Sequence, residues 1–276
     1  MTAQFGQTMA LILGTAGGEA RTTPGLRIAA RVAYKNARAG EAEIEVYNPA
    51  PQTIAAAEER GVVLRLLAGY GVPELVFEGS PIRDGVNLRR EGADRILSIA
   101  ARTGGVQLEQ GRLSLSYAQG TRVSEVVAEA ARQLGLPQGV VQLGEDYDLP
   151  PGFSYSGSAG DLLQRLVSSA GSTLTVRDGV LQALPAGADT GEQVARLTPQ
   201  TGLLGSPTRR KGKKRALVEI EAQLIPGLRP GKRVVVESEA LNGVFVARDV
   251  SFDLDLAGEF KVAFTARETL DTRGRT

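Results

Sequence analysis

LRIAARVAYKNARAGEAEIEVY, from Leu26 to Tyr47, decides how the first part of this chain is read. Leu26, Ile28, Ala30 and Val32 alternate with Arg27, Ala29 and Arg31. Ala42, Ile44 and Val46 alternate with Glu41, Glu43 and Glu45. A period of two with one charged face predicts half-buried antiparallel strands. The arginine face of one and the glutamate face of the other are placed to pair across strands, each pair worth about 0.2–1 kcal/mol.

Working outward, NPAPQTIAAAEERG (Asn48–Gly61) predicts a short helix opened by prolines, with Gly61 at C′. VVLRLLAGY and LVFEG then read as strands, while ADRILSIAAR fits helix or strand by pattern and is assigned to strand from its neighbours and the Gly104-Gly105 turn. The earlier run Met9–Gly14 also reads as a strand. That run is too short to span a bilayer and has no basic flank, so it predicts neither an anchor nor a signal peptide.

The middle of the chain changes period. Val123, Val126, Val127, Ala130, Ala131 and Leu134 share a helical face, with Thr121 expected at the N-cap, Gly135 at C′ and Pro137 as a stop. A second helix carries Leu162, Leu163, Leu166, Val167 and Ala170, with Ser158 and Asp161 at capping-box spacing. This second stripe is not stable alone in water, so its helix must dock on a sheet. STLTV and VLQAL, joined by Arg177-Asp178-Gly179, supply a hairpin for it. After the linker-like Pro185–Gln193, RALVEIEAQL, IPGLRPGKRVVVES, NGVFVARDVSFDLDL and GEFKVAFTARE return to strand character, punctuated by Pro-Gly and Asn-Gly turns.

The expected fold is mainly β with α+β character: two small β-barrel domains, residues 1–106 and 187–276, flanking a small α/β domain, residues 107–186.

The 276 residues contain neither cysteine nor histidine. Disulfides, thiolate chemistry, histidine-ligated zinc and Ser-His-Asp catalysis are excluded. Carboxylate chemistry is not. Glu41, Glu43 and Glu45 are spaced along one strand, where they diverge instead of forming a cation cage. Asp253 and Asp255, also at period two, read as a solvated face rather than an acid/base pair. GTAGG (Gly14–Gly18) and GSAGDLL (Gly157–Leu163) lack the phosphate-loop and dinucleotide patterns, and capping accounts for the second. The expectation is no catalytic residue, no cofactor and no metal site.

Arg209, Arg210, Lys211, Lys213, Lys214 and Arg215 crowd six positive charges into seven positions, although the whole chain is only +1. Without them the remainder is net acidic, and aromatic residues do not interleave with them. A partner-protein contact or a solvated loop is therefore preferred to a nucleic-acid site.

Several stretches in order resemble the baseplate, or tail-tip, hub proteins of contractile-tailed bacteriophages and related injection particles. RTTPGLRIAARVAYKNARAGEAEIEVYNPAPQTI, LLAGYG and LVFEGSPI resemble their first barrel. RLSLSYAQGTRVSEVV and FSYSGSAGDLLQRLVSSAGSTLTVRDGVLQAL resemble the middle domain. LTPQTGLLGSPTRRK and LIPGLRPGKRVVVESEALNGVFVARDVSFDLD resemble the last barrel. The resemblance implies a homotrimer whose two barrels per subunit form a pseudo-sixfold ring between tail tube and central spike. It implies contacts with tube, spike and other baseplate proteins, and DNA passing only transiently through the lumen. The place implied is the virion baseplate, after assembly in the host cytoplasm. The chain is short for such hubs and carries no attached lysozyme or peptidase segment. Two other readings compete: a virion or secreted carbohydrate-binding β protein, and a carboxylate-dependent cell-wall glycan hydrolase.

Overall fold

The computed structural model describes residues 6–15, 20–23, 25–35, 40–103, 108, 111–177, 180–185, 188–210 and 217–269. Their architecture is mainly β, with three helices among them. The first section comprises β1 (Gln7–Gly14), β2 (Arg21–Thr22), β3 (Ile28–Tyr34), β4 (Glu41–Tyr47), α1 (Pro51–Glu58), β5 (Val63–Tyr70), β6 (Glu74–Glu91) and β7 (Asp94–Arg102). The alternation in β4 is realised as expected: Ala42, Ile44 and Val46 are buried while Glu41 and Glu43 are exposed. Helix α1 starts on a proline, as predicted. It ends at Glu59 in extended backbone, so Gly61 lies one position past C′.

The middle section comprises β8 (Arg112–Ser116), α2 (Val123–Gln133), β9 (Gln138–Val141), β10 (Ser154–Ser158), α3 (Ala159–Ser169), β11 (Ser172–Arg177) and β12 (Val180–Pro185). The predicted hairpin forms between β11 and β12, with Arg177 opposite Val180. Its Asp178-Gly179 tip lies outside the described residues. Strand β9 pairs parallel with β12, and β8 pairs with β10. Both apolar stripes are buried except at Leu134, which is half-buried at the end of α2. The caps differ in kind. Ser158 accepts from the Asp161 amide at 3.3 Å, as predicted. Thr121 is not the N-cap of α2: Arg122 holds that position, and the Thr121 hydroxyl donates to the Ala118 carbonyl. The cap comes instead from Asp146, 22 residues on, which accepts from the Ser124 amide at 3.0 Å and its hydroxyl at 2.7 Å. Gly135, at φ +66°, ends α2 as expected: the Leu136 amide reaches Ala131 and the Gly135 amide reaches Arg132.

The third section comprises β13 (Gln193–Leu197), β14 (Leu203–Arg210), β15 (Leu217–Gln223), β16 (Arg233–Glu237), β17 (Asn242–Asp255) and β18 (Phe260–Glu268). The predicted Asn-Gly turn is strand instead. Asn242-Gly243 opens β17, and the turn before it is Ser238–Leu241, closed by the Ser238 amide on the Leu241 carbonyl. Gly205-Ser206-Pro207 is an irregularity inside β14, where the register against β15 shifts between Leu204 and Thr208.

Strands of the first and third sections form one hydrogen-bonded sheet. Its path runs β14-β15-β18-β17-β3-β4-β7-β6-β5-β1-β2, and β16 and β13 join beside β17. Among the described residues this path stays open at both ends, and no closed barrel is seen. A single core spans the two sections, from Leu11, Ile44 and Phe77 to Phe252 and Phe264. A second core, from Leu113 through the faces of α2 and α3 to Leu181, is confined to the middle section. None of the described helices is long and apolar enough to cross a membrane.

Candidate assembly surface

The place where the first and third sections meet is built from β3 and β17. Their antiparallel register sets Phe252 opposite Val32, Asp253 opposite Arg31 and Asp255 opposite Ala29. Period two then sorts the side chains. Val32, Ala30, Phe252 and Leu254 go inward to the shared core. Arg31, Asp253 and Asp255 go outward.

On the outer face the arginines do not pair with the glutamates of β4, as the sequence suggested. Arg27 forms a two-pronged pair with Asp255 at 2.9 and 3.3 Å, and Arg31 reaches Asp253 at 3.1 Å. Asp253 and Asp255 are thus ion-paired on a partly exposed face. The guanidinium of Arg27 also lies 4.4 Å from the ring centre of Tyr47. Hydrogen bonding from Arg27 holds the Asp255 carboxyl below the usual carboxylate range, with a smaller contribution from the Ala257 amide. The acidic stripe of β4 finds other partners: Glu45 takes Arg89 at 2.8 Å and Glu41 takes Arg102 at 3.5 Å. Glu43 faces Arg31 in register.

On the inner side the junction is closed by Arg229, which sequence reading missed because RPGKR looks like an ordinary charged turn. One guanidinium nitrogen donates to the Pro226 and Leu228 carbonyls at 2.8 and 2.7 Å. The other donates to Leu75 and Val76 of β6 at 3.0 and 2.6 Å. Its plane lies 4.7 Å from the ring centre of Tyr34 and 5.7 Å from that of Phe252. The Tyr34 hydroxyl donates to the same Val76 carbonyl at 2.8 Å, and Tyr34 meets Phe252 edge-on. A second cross-section contact joins Tyr70 to Phe260, through an edge-on ring pair and a hydrogen bond to the Phe260 carbonyl at 3.3 Å. Burial raises the Tyr70 phenol above its ordinary pKa. The two sections therefore make one sheet, one core and one polar clamp.

Of the six basic candidates, Arg209 and Arg210 end β14, the outer strand of the sheet. Arg210 pairs with Glu219 of β15 at 2.9 Å. Lys211, Lys213, Lys214 and Arg215 lie outside the described residues. Of the two glycine-rich stretches, Ala16–Gly18 also lie outside, and the other serves the cap of α3. Among the described residues no group of carboxylates is gathered as a metal cage would be. Among the described residues the exposed features are an outer strand paired on one side, ion-paired strand faces and a charged strand end.

No protein-family model matches the chain, and no curated protein matches its sequence. Solved structures do match. A tail protein from Neisseria meningitidis MC58 superposes with a TM-score of 0.64 over 96% of this chain and 97% of its own, at 13% identity. The 43 kDa tail protein of prophage MuSo2 from Shewanella oneidensis gives 0.57 over 95% and 97%, at 12% identity. The E. coli c3393 protein, a type VI secretion component described as similar to the T4 tail proteins gp27 and gp5, gives 0.65 over 94% and 77%, at 12% identity. From end to end, the chain has the fold of phage tail proteins and their secretion-system counterparts, as the ordered motifs implied.

Proposed function

We propose that this protein is a structural baseplate hub subunit of a contractile tail or related injection particle. Three copies close into a ring by heterologous contacts, each offering two β sections, and the ring joins the tail tube to the central spike. The observation that carries this reading is the union of the first and third sections through β3 and β17 into one sheet, within a fold shared over the whole chain with tail proteins. In this reading the two β units, joined edge to edge, supply the two surfaces per subunit that matching a sixfold partner to a threefold one requires. In this reading the outer domains are 1–106 and 187–276, and 107–186 is a peripheral α/β domain. The protein acts without catalysis. It meets tube, spike and other baseplate proteins, contacts DNA only in passing, and resides in the virion baseplate after assembly in the host cytoplasm.

The basic segment serves as a partner contact here. Replacing Arg209, Arg210, Lys211, Lys213, Lys214 and Arg215 with Ser should leave folding intact and lower assembly yield, because surface charges contribute little to stability but guide docking. The test combines the protein with its tube and spike partners and counts subunits by native mass spectrometry and electron microscopy. Trimeric rings bearing both partners support the reading, and a monomer that binds neither overturns it. Duplex-DNA affinity that falls steeply with salt in the parent, and is lost in an assembly-competent substituted protein, would make the segment a nucleic-acid contact instead.

A further inference from the structure

The segment Ala188–Glu192, which leads out of the middle section toward β13, is strapped to the turn before β16. The Thr190 amide and hydroxyl both donate to the Gly231 carbonyl, at 2.9 and 3.0 Å, and the Arg233 amide donates to the Glu192 carbonyl at 2.8 Å. Asp189 accepts three hydrogen bonds from Arg233, two from Nε at 2.8 and 3.0 Å and one from a terminal nitrogen at 2.8 Å. Glu192 pairs with Lys232, a lysine only 7% exposed. The Ala188 carbonyl lies so close to Gly231, at φ +89°, that a Cβ there would stand 2.5 Å from it, so the strap fits only over glycine. What it restrains is a section with its own core, none of whose described strands pairs with the rest of the sheet. Between them lies a cleft of about 270 Å³, lined by Thr173, Gln182 and Leu184 on one side and by Tyr34, Glu78 and Lys232 on the other.

We propose that this strap is a latch that sets the position of the middle section against the flanking sheet. With the strap closed, the section is held across the cleft. With it open, five residues of chain are freed, adding up to ~17 Å of reach at ~3.4 Å per residue, and the section reorients as a rigid body. A latch of partly exposed ion pairs and a few hydrogen bonds opens far more readily than a packed apolar interface. The inference goes beyond the hub reading and does not depend on ring formation, since it concerns a single subunit.

The chain has no cysteine of its own, so a Gln133→Cys, Glu239→Cys pair carries spin labels on α2 and on the β16–β17 turn without competing sites. Distances are measured by pulsed electron resonance on the full chain at a concentration where it is monomeric. The parent is expected to give one narrow distribution, and Asp189→Asn with Glu192→Gln one at least twice as wide. Thr190→Val, which removes the hydroxyl's bonds to the Gly231 carbonyl and from the Glu192 amide but no charge, is expected to widen it by a smaller amount. Equal widths in the parent and both variants, each with a native circular dichroism spectrum, would overturn the proposal. So would a parent distribution already as wide as that of the double variant. A double variant that fails to fold leaves Thr190→Val and a salt titration of the parent to decide: widening supports the latch, and no change in either refutes it.

Discussion

In the flanking sections, Arg31 and Asp253 are 222 positions apart and sit side by side on paired strands. In the middle section, all strand pairing is contained between Arg112 and Pro185. The flanking core is incomplete until the two ends of the chain meet, because Val32 and Phe252 each cover the other's strand. The middle core closes on local elements: two capped helices and a hairpin. One region thus buys rigidity with long-range pairing, whose loop closure is slow, and the other folds on short-range contacts.

The sharpest way to break this comparison is to injure each core and ask how far the damage spreads. Phe252 is fully buried at the junction, and Phe252→Ala should destabilise the first and third sections together by about 3–5 kcal/mol. Fluorine-labelled tyrosines read the spread: the signals of Tyr34 and Tyr70 should move while that of Tyr155 stays. Leu163→Ala and Leu166→Ala should each cost about 2–5 kcal/mol in the middle section and leave the flanking transition in place, as followed by urea unfolding with the same probes.

Removing the polar clamp tests the junction differently. Arg229→Met keeps much of the side-chain length and loses the donors to four carbonyls, and about 2–3 kcal/mol should go with them. The cost should appear in the flanking transition alone. Ser158→Ala deletes one cap and should take about 1 kcal/mol from the middle section.

The smallest effect concerns acid. Asp255 and Asp189 are each held below their ordinary value of 3.8 by hydrogen bonds from Arg27 and Arg233. A depressed folded-state pKa means that the contribution is complete above the unfolded value and is lost as pH falls through the folded one. Asp255→Asn should therefore cost about 0.5 kcal/mol at neutral pH, and the gap to the parent should narrow below pH 3.8. Urea midpoints at pH 7 and pH 3 check this.

Much of the fold was legible because local chemistry encodes it. Charged and apolar residues alternate in β3 and β4, and Ser158 with Asp161 announces α3. The stretches that misled are those where a distant partner overrides the local signal. Thr121 stands where a cap belongs, but Asp146 reaches the helix end first. Asn242-Gly243 has turn chemistry, yet pairing with β16 draws it into strand. Arg31 of β3 had Glu43 opposite, but β17 arrives on the other side and Arg31 takes Asp253. Arg229 was invisible for the same reason: a guanidinium in a Pro-Gly turn shows nothing of the carbonyls 153 and 154 positions away that it will meet. The assembly surface inherits this difficulty, since edges and faces exist only after distant strands pair.

Native-state hydrogen exchange on the full chain, at rising but sub-denaturing urea, tests the central claim most directly. If the first and third sections are one unit, the amides of Ala30 and Val32 in β3 and of Phe252 and Leu254 in β17 will converge on a single opening free energy, with those of α2 and α3 converging on another. Protection lost in β3 while β17 and β18 remain closed would contradict the account, for it would mean that the two β sections fold separately and merely touch.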